Sequence, residues 1–66
     1  MELTINGKNV VLEEPTTVGE FLSARNLNPK MVVVEHNGEI VRREAFDTTP
    51  LRSGDVVEIV QMMAGG

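Results

Sequence analysis

Polar and apolar residues alternate from the start of the chain. Leu3 and Ile5 sit between Glu2, Thr4 and Asn6, and after an Asn6-Gly7 turn signal the apolar positions resume at Val10, Val11 and Leu12. Period-two alternation on both sides of Asn-Gly predicts a β-hairpin over Glu2–Glu13. By parity, Leu3, Ile5, Val10 and Leu12 share the core side and Val11 faces away. Pro15 closes the hairpin. The spacing then changes, with Val18, Phe21 and Leu22 at i, i+3 and i+4, which predicts a helix over Thr17–Asn26. Thr17 followed three residues later by Glu20 is a capping-box pattern. Asn26, Asn28 and Pro29 end the helix. Gly19 weakens it by about 1 kcal/mol relative to alanine, and only close packing would explain it.

Met31 to Glu35 is a β-branched strand, with Asn37-Gly38 as a second turn signal and Ile40-Val41 as a short return. Arg42 to Pro50 reads as polar and irregular. Ser53-Gly54-Asp55 turns into a last strand in which Val57 and Ile59 share one face, while Val56, Glu58 and Val60 share the other. The order ββαβ(β)β predicts an α+β domain of the β-grasp, ubiquitin-like kind. One helix packs on a mixed sheet of four to five strands, with first and last strands parallel at its centre. The domain spans 1–61, and 62–66 is a flexible tail ending in Gly65-Gly66. Val11, Val56, Glu58 and Val60 form the candidate partner face, because exposed apolar clusters on small domains mark interaction sites.

Composition narrows the possibilities. Sixty-six residues make one domain, and such a chain buries only about 60% of its unfolded surface. With no cysteine, no disulfide or thiolate metal site supplements the core, and with two phenylalanines and no Trp or Tyr the filling is aliphatic. His36 stands alone and reads as an ordinary strand-end residue rather than a metal ligand. The net charge of -4 argues against nucleic acid and favours basic partner surfaces. No apolar run exceeds four residues, far short of the roughly 20 that span a bilayer. With no signal-peptide pattern either, a cytoplasmic location away from membranes is expected. No nucleophile–base pair and no phosphate-cradling loop occurs, so the chain is expected not to be an enzyme.

The end of the sequence carries the chemistry. Gly65-Gly66 is a thin backbone thread that a partner's active site can approach closely. It presents a carboxylate as its reactive group. The chain resembles the ThiS family of sulfur carriers over nearly its whole length. The resemblance is carried by the Asn6-Gly7 hairpin, by Val32–Val34 leading to Asn37, and by Glu39–Glu44. Its most specific part is the closing block from Leu51-Arg52-Ser53-Gly54-Asp55 to Gly66. Arg42 departs from the family pattern, where proline is common, which bears only on the shape of that loop. The resemblance implies that a ThiF-type enzyme using ATP adenylates Gly66. A sulfur donor enzyme then supplies sulfur for a C-terminal thiocarboxylate, which passes it to a ThiG-type thiazole synthase in thiamine biosynthesis. On that basis Met62, Met63, Ala64 and Gly65 enter the partner's active site, and the chain itself binds no cofactor.

Two alternatives share the Gly-Gly end. A MoaD-type carrier would use the same chemistry for molybdopterin or another sulfur pathway, although such chains run longer and place two prolines ahead of the tail, where this one has Met62-Met63. A ubiquitin-like modifier would instead join Gly66 to target lysines.

Overall fold

The computed structural model describes residues 1–62. Five strands, β1 (Glu2–Ile5), β2 (Lys8–Val11), β3 (Val32–His36), β4 (Glu39–Val41) and β5 (Val56–Gln61), form one sheet in the order β2-β1-β5-β3-β4. β5 is central, parallel to β1 and antiparallel to β3. The expected β-grasp order therefore holds, with five strands rather than four. Both hairpin turns have left-handed backbone at both central residues, Asn6 and Gly7 (φ 52° and 79°) and Asn37 and Gly38 (φ 51° and 87°). That is the geometry that matches strand twist in a two-residue hairpin, and Asn-Gly is the dipeptide that adopts it most cheaply.

Helix α1 (Val18–Ala24) begins in the expected capping box. The Glu20 amide donates to Thr17 Oγ1 (3.1 Å), and the Thr17 amide donates to Glu20 Oε1 (2.9 Å). It stops at Asn26, whose φ of 58° lets the Leu27 amide reach back to the Leu22 carbonyl (2.9 Å). That reach-back is the Schellman closure, with asparagine in the place glycine usually takes. A 3-10 turn (Pro29–Met31) follows, capped by Asn28 Oδ1 accepting from the Lys30 amide.

The core lies between sheet and helix. Leu3, Ile5, Val32, Val34 and Val57 project from the sheet onto Val18, Phe21 and Leu22 of α1. One further core residue comes from the segment that reads as polar and irregular, and another directly follows it. A 3-10 stretch, Arg43–Thr48, turns Phe46 inward to 4% exposure, and Leu51 after it is equally buried. This stretch also explains Gly19. A Cβ at that position would run into the Asp47 carboxylate where it now lies, so the stretch packs closely on the helix at Gly19. Ile59, on the expected inner face of β5, is only half buried and packs at the margin of the core.

Candidate functional site

Three features of β5 define what the domain offers a partner. The first is how the strand ends. β5 runs past the end of β1, and the Asn6 side chain continues the pairing in its place: the Ile59 amide donates to Asn6 Oδ1 (2.7 Å) and Asn6 Nδ2 donates to the Ile59 carbonyl (3.2 Å). On the other side the Met62 amide donates to the Met31 carbonyl (2.7 Å). The central strand is thus held to its last described residue, and the side chain of Met62 is exposed. The expected tail begins at Met62, whose amide is held in the ladder; its other residues, Met63, Ala64, Gly65 and Gly66 with the reactive terminus, lie outside the described residues.

The second feature is the outer face of the sheet. Register sets Val60 opposite Val33, Glu58 opposite Glu35, and Val56 beside Thr4. Val56, Glu58 and Val60 are exposed together, as parity predicts. Val33 (40% exposed) and Ile40 (69%), with Glu35 between them, extend this patch across β3 and β4. Those three neighbours were not legible in the sequence, because only the strand order shows that β3 lies against β5. Val11 occupies the same face at another corner. It pairs with Glu2, two residues before the Thr4 that meets Val56, so at strand rise and spacing it lies about 12 Å from Val56 and about 20 Å from Val60, with β1 between.

The third feature anchors the start of the strand. Asp55 is 8% exposed at the mouth of β5 and accepts from His36 Nε2 (2.7 Å), Asn37 Nδ2 (3.1 Å) and the Arg52 amide (2.8 Å). Asn37 Oδ1 in turn accepts from the Val56 amide (2.8 Å). His36, unremarkable in sequence, pins the β3–β4 turn to the Ser53-Gly54-Asp55 turn. No group of three or more metal-ligating side chains occurs among the described residues, and none of their helices is long and apolar enough to cross a membrane.

Burial pushes the Asp55 carboxyl pKa upward, but the hydrogen bonds from His36, Asn37 and Arg52, together with attraction to the His36 charge, outweigh it and hold the group below its ordinary value of 3.8. A depressed carboxylate contributes stability that is fully present above the ordinary value and is lost as pH falls through the lowered one. Denaturant melts of the wild type should therefore show a loss of stability on acidification below about pH 4. Asp55→Asn should be less stable at neutral pH and should flatten that acid limb. An unchanged acid limb in Asp55→Asn would remove Asp55 as its source.

The sequence matches the family model described as the ThiS family over residues 1–66. It is 38% identical to the sulfur carrier protein ThiS of Bacillus subtilis (strain 168) over 65 residues, covering 97% of this chain and 98% of that one. It is 33% identical over 66 residues to a thiazole synthase of Paramagnetospirillum magneticum, covering all of this chain but 20% of that much longer protein. The crystal structure of the thiamine biosynthesis protein ThiS from Geobacter metallireducens superposes with a TM-score of 0.84 at 45% identity, each chain covered fully. The solution structure of a thiamine biosynthesis protein from the same organism gives 0.80, with 88% of that chain covered.

Proposed function

The chain belongs to the ThiS family, and we propose that it carries sulfur as a thiocarboxylate on Gly66. It is a sulfur carrier of thiamine biosynthesis and not a catalyst. A carboxylate is a poor electrophile because its charge is shared between two oxygens. Attack of one of those oxygens on the α-phosphorus of ATP expels pyrophosphate and leaves an acyl-adenylate with AMP as leaving group. Sulfide-level sulfur, freed from a donor enzyme's persulfide by a reducing thiol that becomes a disulfide, then adds to the carbonyl carbon and expels AMP, leaving the thiocarboxylate. The tail brings no side chain that could stabilise charge at that carbon, so the donors that do so belong to a ThiF-type adenylating partner. ATP is that partner's substrate, the chain holds no cofactor of its own, and the cycle runs in the cytoplasm.

The observation that carries this function is the full-length match to sulfur carriers by a chain whose central strand leads into Met63-Ala64-Gly65-Gly66. Thiazole synthase is the proposed sulfur acceptor. The similarity of the whole chain to one fifth of a thiazole synthase supports it, because joining two such units on one polypeptide raises their effective concentration to about the millimolar range. The same matches favour this assignment over a MoaD-type carrier. A modifier is separated from a carrier by the fate of the chain. When thiazole synthase, its substrates and the loaded chain are mixed, a carrier returns at its original mass as thiazole forms. Accumulation of higher-mass conjugates on lysines, with no chain regenerated, would establish the modifier instead.

A further inference from the structure

The Asn6-Gly7 turn does more than reverse the chain. Along β1 the parallel ladder to β5 runs through the Thr4 amide on the Asp55 carbonyl and the Asn6 amide on the Val57 carbonyl, both 2.9 Å. The next rung needs an acceptor and a donor beyond that point, but left-handed backbone at Asn6 and Gly7 turns the main chain away into β2. The Asn6 carboxamide supplies both groups. Its Oδ1 accepts from the Ile59 amide at 2.7 Å and its Nδ2 donates to the Ile59 carbonyl at 3.2 Å. A carboxamide carries the same acceptor and donor as a peptide unit, so the side chain acts as one more rung of β1. Aspartate tolerates the left-handed turn but lacks the donor, and glycine lacks both groups. Beyond Val57 no residue of β5 is fully buried. Holding the end of the strand therefore falls largely to hydrogen bonds, from Asn6 on one side and β3 on the other.

We infer that Asn6 is a positioning residue for the activation of Gly66: by pairing the second side of β5 at Ile59, it presents the end of the strand to the adenylating partner already ordered. This role rests on the adenylation proposed above. Gly66 is seven residues after Ile59. Each residue of that run fixed before the encounter is one whose backbone entropy the encounter does not have to overcome. Without the Asn6 side chain, β5 past Val57 is paired on one side only, and the competent form is a smaller fraction of the free chain. Apparent affinity falls by that fraction. Once the tail is seated, the partner itself fixes the strand, so the limiting rate is untouched. The signature is a raised KM at constant kcat.

The second Asn-Gly turn supplies the control. Asn37 has the same left-handed backbone, and its side chain also makes two bonds at β5, with the Val56 amide (2.8 Å) and with Asp55 Oδ1 (3.1 Å), but at the start of the strand. Glycine keeps either turn, because it adopts positive φ freely. The test compares the full wild-type chain, Asn6→Gly and Asn37→Gly with a purified ThiF-type adenylating enzyme, at a temperature where urea melts show all three folded. ATP–pyrophosphate exchange gives kcat and KM, calorimetry gives Kd, and hydrogen exchange of the free chains gives the protection of the Ile59 amide. Asn6→Gly should raise KM and Kd about three- to tenfold, leave kcat within about twofold, and speed exchange of the Ile59 amide about tenfold. Asn37→Gly should leave KM and Kd within about twofold of the wild type, although it lowers stability at least as much, one of its bonds being to an ionised carboxylate. Equal rises in KM for the two variants, an unchanged KM or a loss confined to kcat in Asn6→Gly, or no binding by the wild type overturns the inference. So does a raised KM with Ile59 protection unchanged, which would mean that Asn6 touches the partner directly. A wild-type chain that gains no adenylate, with Kd and exchange following the expected pattern, upholds the positioning role and defeats the proposed function instead.

Discussion

A chain lacking Gly66 should fold as the wild type does and accept neither AMP nor sulfur. The core residues all lie between Leu3 and Val57, and the last described main-chain anchor is the amide of Met62. Deletion of a residue beyond them removes no buried side chain and no hydrogen bond of the described fold. The effect on chemistry is of another order. One residue of extended chain is about 3.3–3.6 Å, so the new carboxylate of Gly65 would stop short of the point where the adenylating enzyme holds ATP. A misplacement of about 1 Å already costs on the order of 100-fold in a positioned reaction, so the loss should reach at least that figure. Adenylate formation on wild-type and truncated chains, with melts to show that both are folded, measures it. Activation of the shortened chain at the wild-type rate would remove Gly66 from its assigned role.

Replacing Phe46 by alanine should remove a large share of the domain's stability. Burial of a phenylalanine and the cavity left on its removal together cost about 3–5 kcal/mol. A 66-residue domain at the usual stability per residue has only roughly 3–10 kcal/mol in all. Phe46 is 4% exposed where the Arg43–Thr48 stretch closes on α1, so its loss also loosens the close approach of Asp47 to Gly19. Ile59→Ala should fall below this range, because Ile59 is only half buried. Urea melts of the two variants give the order directly. Were Phe46→Ala to melt within about 1 kcal/mol of the wild type, the stretch would be a covering loop rather than part of the core.

These two residues show which parts of the molecule were legible in its sequence. Both Asn-Gly turns, the Thr17–Glu20 capping box and the facing of β5 follow from neighbours in the chain, and each stands as read. Phe46 was hidden because it is the single large apolar residue in a polar run, with no period to mark which way it points. Its one signal was rarity, as one of two aromatic residues in the chain. The reasons for Gly19 and for His36 are contacts with Asp47 and Asp55, distant in sequence, which only the closed fold brings near. The partner patch was half legible for the same reason. Val56, Glu58 and Val60 follow from parity within one strand, whereas Val33, Glu35 and Ile40 depend on β3 lying beside β5, and Val11 shares their face with β1 between.

The proposed chemistry is read from the end of the chain, in a Leu-x-x-Gly-Asp turn one strand ahead of Gly65-Gly66. The most direct test is the intact mass of the wild-type chain after incubation with a ThiF-type adenylating enzyme, ATP and a sulfur source, followed by fragmentation to locate any change. The expected result is one oxygen exchanged for sulfur, confined to the fragment that ends in Gly66 and absent when ATP is withheld. A chain of unchanged mass, or sulfur located on any other residue, would contradict it.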